Sequence, residues 1–138
     1  MERTLAIVKP DAVQRGLAGE ILKRIEAQGL AISAVKKLHL TRAQAERFYE
    51  VHKDRPFYQT LCDYMTSGPV VIAVLSGDQA ITRWRTVMGA TDPAKAAAGT
   101  IRKDLGVDVE KNAVHGSDAT ETAAREIAFF FSAVEILT

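Results

Sequence analysis

The chain has 138 residues, 47% of them hydrophobic and 25% charged, with a formal net charge of +1. That length suits one domain, residues 1–138, around a single hydrophobic core. The balanced charge gives no reason to expect nucleic acid or an anionic membrane as the principal partner, and no run approaches the ~18 apolar residues of a membrane span.

Cys62 is the only cysteine, so no internal disulfide framework exists and a reducing compartment is expected. Its helical neighbourhood points to a buried structural thiol. The N-terminus, Met1-Glu2-Arg3, runs straight into a short apolar strand rather than a signal peptide, so the expected setting is the cytoplasm.

Thr4 to Val8 is predicted as the first strand, stopped by Pro10, with Lys9 at its mouth. Leu17, Ile21 and Ile25 recur at helical spacing and Gly29 provides a stop, which predicts a helix from about Gly19 to Gln28. Ile32 to Leu40 reads as a second, partly alternating strand. Thr41 and Gln44 have the spacing of a capping box opening a helix through Phe48 and Tyr49, broken by Asp54-Arg55-Pro56. Phe57, Leu61, Tyr64 and Met65 form a further helical stripe, ended by Gly68-Pro69. Val70 to Leu75 is a continuous apolar run, as expected of a central strand covered on both faces. A helix with Ile81, Trp84 and Met88 on one side follows and closes at Gly89. Residues 89–100 read as a long functional loop with at most a short helix. After a strand-like segment and a turn at His115, Asp118 and Glu121 have N-cap and N3 spacing. Ala124, Ile127, Ala128 and Phe131 continue a helical stripe, and Val134 to Leu137 reads as a terminal strand. Strands alternating with helices favour a layered α/β sandwich. Two split β-α-β units predict a ferredoxin-like βαββαβ arrangement, an antiparallel four-stranded sheet covered by helices.

The candidate chemistry gathers around His115-Gly116-Ser117-Asp118. A glycine after the histidine lets the backbone approach a ligand closely, and Glu126 downstream offers a carboxylate to fix the imidazole tautomer. Lys9, Arg85, Arg102 and Asn112 each lie at the end of a predicted element rather than in the middle of a solvated face. Cations converging on a nucleophilic histidine suit a triphosphate, because phosphoryl transfer needs positioning and stabilisation of spread negative charge. Thr91 adds a hydroxyl donor, and Phe57 after Pro56 offers a flat face to a base. Singly, each cation reads more naturally as surface charge, and Phe57 and Tyr49 as core. Only the joint pattern carries weight.

The chain has no G-x-x-x-x-G-K-[ST], no G-x-G-x-x-G and no H-R-D or D-F-G set, which disfavours P-loop, Rossmann and protein-kinase chemistry. No histidine or cysteine cluster has metal-ligand spacing, so side chains would hold the phosphates and any metal would arrive on them as Mg²⁺.

On these residues the chain resembles the nucleoside diphosphate kinases over essentially its whole length. The matching stretches are Thr4 to Asp11, His52 to Phe57, Met65 to Val71, Met88 to Pro93, Gly99 to Arg102, and Asn112 through Asp118, with Glu126 beyond. The resemblance implies a ping-pong kinase that moves the γ-phosphate of a nucleoside triphosphate, usually ATP, to a nucleoside diphosphate. It implies that His115 becomes a phosphohistidine oriented by Glu126 and Ser117. Lys9, Arg85, Thr91 and Arg102 would contact phosphates, with Lys9 and Asn112 also reaching the sugar. Phe57 would stack on the base with Val109 on its other side, Tyr49 would line the phosphate end, and Asp118 would meet Mg²⁺ through water. It implies a homo-oligomer as well, and because the chain ends at Leu137-Thr138, tetramer and hexamer both stay open. Departures from the family pattern are mild: Tyr58 stands where a second phenylalanine is common, Asp92 where asparagine is frequent, and Ala119 where many relatives carry serine.

Two other classes compete. A ferredoxin-like RNA-binding module should expose aromatics on a central strand, and Val70 to Leu75 contains none. A phosphorelay carrier using His115 alone would leave Thr91, Arg85 and Arg102 without a task.

Overall fold

In this computed structural model residues 1–137 are described. The predicted first strand extends to β1, Glu2–Val8, whose Leu5 and Ile7 point to one face of a sheet while Ala6 and Val8 point to the other. Pro10 ends the strand but also opens a helix: with its fixed φ at the first helical position it starts α1, Pro10–Gln14. Next come α2 (Ala18–Ala27), β2 (Ala31–Leu38), α3 (Arg42–Phe48) and α4 (Tyr58–Met65). β3 (Val70–Gly77), α5 (Ala80–Met88), α6 (Ile101–Leu105), β4 (Val114–Gly116) and α7 (Thr120–Phe130) complete the order. The Thr41–Gln44 capping box forms as expected: Gln44 N donates to Thr41 Oγ1 at 3.1 Å and Thr41 N to Gln44 Oε1 at 2.9 Å.

The sheet is four-stranded in the order β2-β3-β1-β4, with every pairing antiparallel, which is the expected ferredoxin-like arrangement. β3 is buried over Val70 to Ser76 because both faces are covered. One face packs Val8, Ala73 and Leu75 against Ile21, Ile25, Trp84, Met88 and Ile101. The other packs Leu5, Ile7 and Ile72 against Phe48, Met65, Ala123 and Ile127. Cys62 is buried, as expected.

Two local expectations are corrected, and a third is met with an additional helix beyond it. Val134 to Leu137 is not a strand. Ala133–Glu135 forms a 3₁₀ turn in which Ser132 N donates to Glu135 Oε1 at 2.7 Å, and the fourth sheet strand is instead the short β4 that carries His115. Asp118 does not cap α7, because the residue at the cap is Ala119 and the Asp118 carboxylate turns to Arg85. The 89–100 loop contains the expected short helical turn, Pro93–Lys95, but a further helix, α6, follows it. There Thr100 Oγ1 accepts from Lys103 N at 3.3 Å.

Candidate active site

β4 is the element on which the site is built. It pairs with β1 through Ala6–Gly116, Ile7–His115 and Val8–Val114, so His115 shares the sheet face of Ile7 and looks toward α3 and α7. The imidazole side chain is 21% exposed, reachable from solvent yet fixed. Its Nε2 lies 3.0 Å from Glu126 Oε1 on α7, and Ser117 Oγ donates to the same oxygen at 2.8 Å. Ser117 Oγ in turn accepts from Leu5 N at 3.3 Å, which ties the network to β1. Phe48 meets the imidazole edge-on, with centroids 5.9 Å apart. Burial pushes the Glu126 carboxyl up, but the bonds from His115 and Ser117, with the charges of His115 and Arg125, outweigh it and hold the group below the usual carboxylate range. An ionised carboxylate only accepts, so the proton on the ring sits at Nε2 and Nδ1 is left with its lone pair.

The backbone leading into β4 is bent sharply. Ala113 has φ +74° and Val114 N donates to Asn112 O at 2.9 Å, closing a three-residue γ-turn in the left-handed region. The turn lets neighbouring groups serve different partners. Ala113 O accepts from Lys9 N at 2.8 Å, while the Asn112 side chain points back into the site. Asn112 Oδ1 accepts from Lys9 Nζ at 2.8 Å and Asn112 Nδ2 donates to Thr91 O at 3.0 Å, so one buried amide joins the end of β1 to the 89–100 loop.

Lys9 and Arg102 are cations held against the cost of burial. Burial, with Arg102's charge beside it and partly offset by Asp11 and Glu110, brings the Lys9 ammonium down to about 8. Burial and the Arg85 charge bring Arg102 down to about 10. Arg102 Nη1 donates to Gly89 O at 3.0 Å and Nη2 to Val114 O at 2.9 Å, and Nε has no acceptor. Among the described residues neither Lys9 nor Arg102 has a carboxylate at ion-pair distance. Arg85 does: its Nη1 meets Asp118 Oδ1 at 2.8 Å. Arg85, Gly89, Thr91, Arg102 and Asp118 line one open cleft of about 700 Å³.

Phe57 stands just before α4 and is 46% exposed, so the core alternative for it does not hold. Its ring lies 5.5 Å from that of His52. Val109 is 57% exposed, on the loop after α6. Tyr49, by contrast, is buried and packs edge-on against Phe48 at 4.9 Å. Burial, then the Glu126 charge, push its phenol up, so it stays a neutral hydroxyl.

Sequence reasoning gave Gly116 a ligand-approach role, and the structure gives a different one. Its φ is not positive, and a Cβ there would meet Met88 Cε at 2.6 Å and Trp84 Cδ1 and Nε1 at 2.7 Å. The glycine lets α5 approach the strand. Trp84, whose Nε1 donates to His115 O at 3.2 Å, was missed as a neighbour of the site, since helical spacing marks it only as core. No local signal announces such a contact across the sheet.

Comparison with known proteins agrees with this arrangement. The family model described as nucleoside diphosphate kinase matches residues 2–136. The chain is 58% identical over 137 residues to the nucleoside diphosphate kinase of Desulfosudis oleivorans, covering 99% of both chains. It is 62% identical over 136 residues to that of Desulfatibacillum aliphaticivorans, again covering 99% of each. Among solved structures, the Aquifex aeolicus nucleoside diphosphate kinase superposes with a TM-score of 0.96 at 49% identity, covering 99% of both chains. A Halobacterium salinarum nucleoside diphosphate kinase solved in complex with CDP superposes with a TM-score of 0.95 at 44% identity, covering 99% of this chain and 91% of that one. The chain belongs to the nucleoside diphosphate kinase family and is a phosphotransferase acting on nucleotides.

Proposed function

We propose that the reaction runs in two half-steps through a phosphohistidine on His115. The lone pair of His115 Nδ1 attacks the γ-phosphorus of a nucleoside triphosphate, an N–P bond forms, the P–O bond to the β-phosphate breaks, and the nucleoside diphosphate leaves with that electron pair. A second nucleoside diphosphate then reverses the sequence with its own terminal oxygen. Glu126 keeps the Nε2 proton in place and balances the positive charge the ring acquires, and Ser117 holds the carboxylate.

The observation that carries this assignment is the pair of desolvated cations, half-buried Lys9 and buried Arg102, which have no carboxylate partner and are bonded to Asn112 and Val114, just before the His115 imidazole with its one committed nitrogen. Unpaired buried cations are costly, and a phosphate group compensates them. Lys9, Arg85, Thr91 and Arg102 are assigned to the phosphates, and Lys9 with Asn112 to the sugar. Phe57 and Val109 are assigned to the base, whose flat face any nucleotide offers. Tyr49 borders the phosphate end as a neutral hydroxyl.

No group of three or more acidic, histidine or cysteine side chains among the described residues is arranged to hold a metal ion. The lone Asp118, 80% exposed at the cleft, fits a second-layer contact to a hydrated Mg²⁺ carried on the phosphates. When bound, that ion would neutralise phosphate charge. Homo-oligomer formation is supported by β2, an edge strand with Val35 51% exposed. A cytoplasmic setting is supported by the single buried thiol, and no helix among the described residues is long and apolar enough to cross a membrane.

Incubation with γ-labelled ATP and no acceptor should leave an acid-labile, alkali-stable label on His115. A His115→Ala protein that still takes up that label and transfers it would show the nucleophile to be elsewhere.

A further inference from the structure

We infer that Trp84 is a positioning residue for the His115 nucleophile, acting through the histidine's main-chain carbonyl from the opposite face of the sheet; this rests on His115 being the phosphate carrier. β4 is an edge strand of only three residues, Val114–Gly116, and pairs with β1 on one side alone. A strand that short at a sheet edge has little intrinsic stability to hold a side chain in line with a phosphorus atom.

α5 supplies the missing restraint at successive points. Trp84 Nε1 donates to His115 O at 3.2 Å, Arg85 reaches Asp118, and Gly89 O, just past the helix end, receives Arg102, whose other amine donates to Val114 O. Of these only the indole contacts the histidine itself. Trp84 is fully buried, so its ring cannot swing away, and Gly116 brings backbone and ring together where any side chain would collide. The histidine is therefore held at both ends: Glu126 holds the ring and Trp84 holds the carbonyl behind it.

Trp84 is the only tryptophan in the chain, so an analogue supplied in place of tryptophan alters one site. 3-(3-Benzothienyl)alanine keeps the ring's shape and puts sulfur where the N–H was, which removes the hydrogen bond. In single-turnover assays with ATP, phosphorylation of His115 should slow about three- to tenfold, the range of one neutral hydrogen bond, while ADP affinity stays within about twofold. Trp84→Phe should show the same split, a slower phosphorylation with ADP binding retained. A rate equal to native with equal ADP binding overturns the inference and leaves the indole as packing only. Should neither protein fold, the ¹⁵N-labelled native enzyme decides. Its single indole N–H resonance should shift when ATP phosphorylates His115 and return when a nucleoside diphosphate discharges it. A resonance that does not move overturns the coupling. No label on His115 in the native enzyme would instead overturn the phosphohistidine assignment itself.

Discussion

Glu126 Oε1 stands 3.0 Å from His115 Nε2, and this contact decides which ring nitrogen is available for chemistry. The carboxylate comes from α7 and the imidazole from β4, so packing α7 on the sheet through Ala123 and Ile127 is what delivers the tautomer. Glu126→Ala should lower kcat by roughly a hundredfold, the low end of what a positioned acid–base group supplies. Nucleotide dissociation constants should change by less than about threefold, because Glu126 makes no ion pair with Lys9, Arg85 or Arg102. Isothermal titration beside steady-state kinetics would check the split, and equal losses in both would remove the orienting role. The carboxyl is held below its ordinary value in the fold, so its contribution to stability is present above that ordinary value. It is lost as pH falls through the lower folded value.

A second expectation follows from the Lys9 ammonium, brought down to about 8 by burial and by Arg102. Below that value the lysine enters the complex already charged. Above it, binding a phosphate must also bind a proton. Affinity for a nucleoside diphosphate should therefore fall by up to about tenfold per pH unit above 8. Stability of the ligand-free protein should move the other way. A lysine whose value is lowered by folding binds its proton less tightly when folded, so its destabilising effect is full below about 8 and fades as pH rises toward 10.5. Urea midpoints and titration calorimetry between pH 7.5 and 9.5 would read both slopes in one buffer series. Lys9→Gln should abolish each.

Much of this arrangement was visible in the residues, but unevenly. β1, β3 and the capping box of α3 follow from local rules: a short apolar strand, a strand covered on both faces, and a Thr-x-x-Gln cap. The segment at His115 reads as strand-like but not as a member of the sheet, because the three residues of β4 carry too little periodicity. The apolar pattern of Val134 to Leu137 took its place, although Ser132 and Glu135 already had capping spacing. Convergence of Lys9, Asn112 and Thr91 depends on the γ-turn at Ala113, and alanine gives no warning of a positive φ. Arg102 could be placed near a ligand by its motif, but its burial and its bonds to Gly89 O and Val114 O come only from the folded chain.

Arg85 and Asp118 give a third expectation. The carboxylate occupies a guanidinium assigned to phosphate, so a nucleotide must displace it. The pair is largely exposed, and such pairs contribute up to about 1 kcal/mol. Asp118→Asn should therefore tighten binding of a metal-free nucleoside diphosphate by at most about fivefold at low ionic strength. The gain should shrink toward nothing near 1 M salt, where screening is over about 3 Å. Weaker binding without metal would mean that the carboxylate does not compete for Arg85.

The fourth concerns Gly116, where two neighbours would meet a new methyl group for different reasons. Met88 Cε, at 2.6 Å from the position of a Cβ, is the end of a flexible side chain and can turn aside. The Trp84 ring, at 2.7 Å, is fully buried and cannot. Gly116→Ala should cost about 1–3 kcal/mol of stability, the usual range for overpacking a filled interior. Met88→Ala in the same chain should recover only part of the loss, because it leaves the ring in place and opens a cavity on its other side. The same methyl group must push β4 away from α5, which lengthens the bond from Trp84 to His115 O. The variant should therefore lose turnover beyond what its unfolded fraction explains. Urea denaturation and kcat measured well below the melting range would separate the two effects, and a Gly116→Ala enzyme with native stability would mean that α5 and β4 have room to spare.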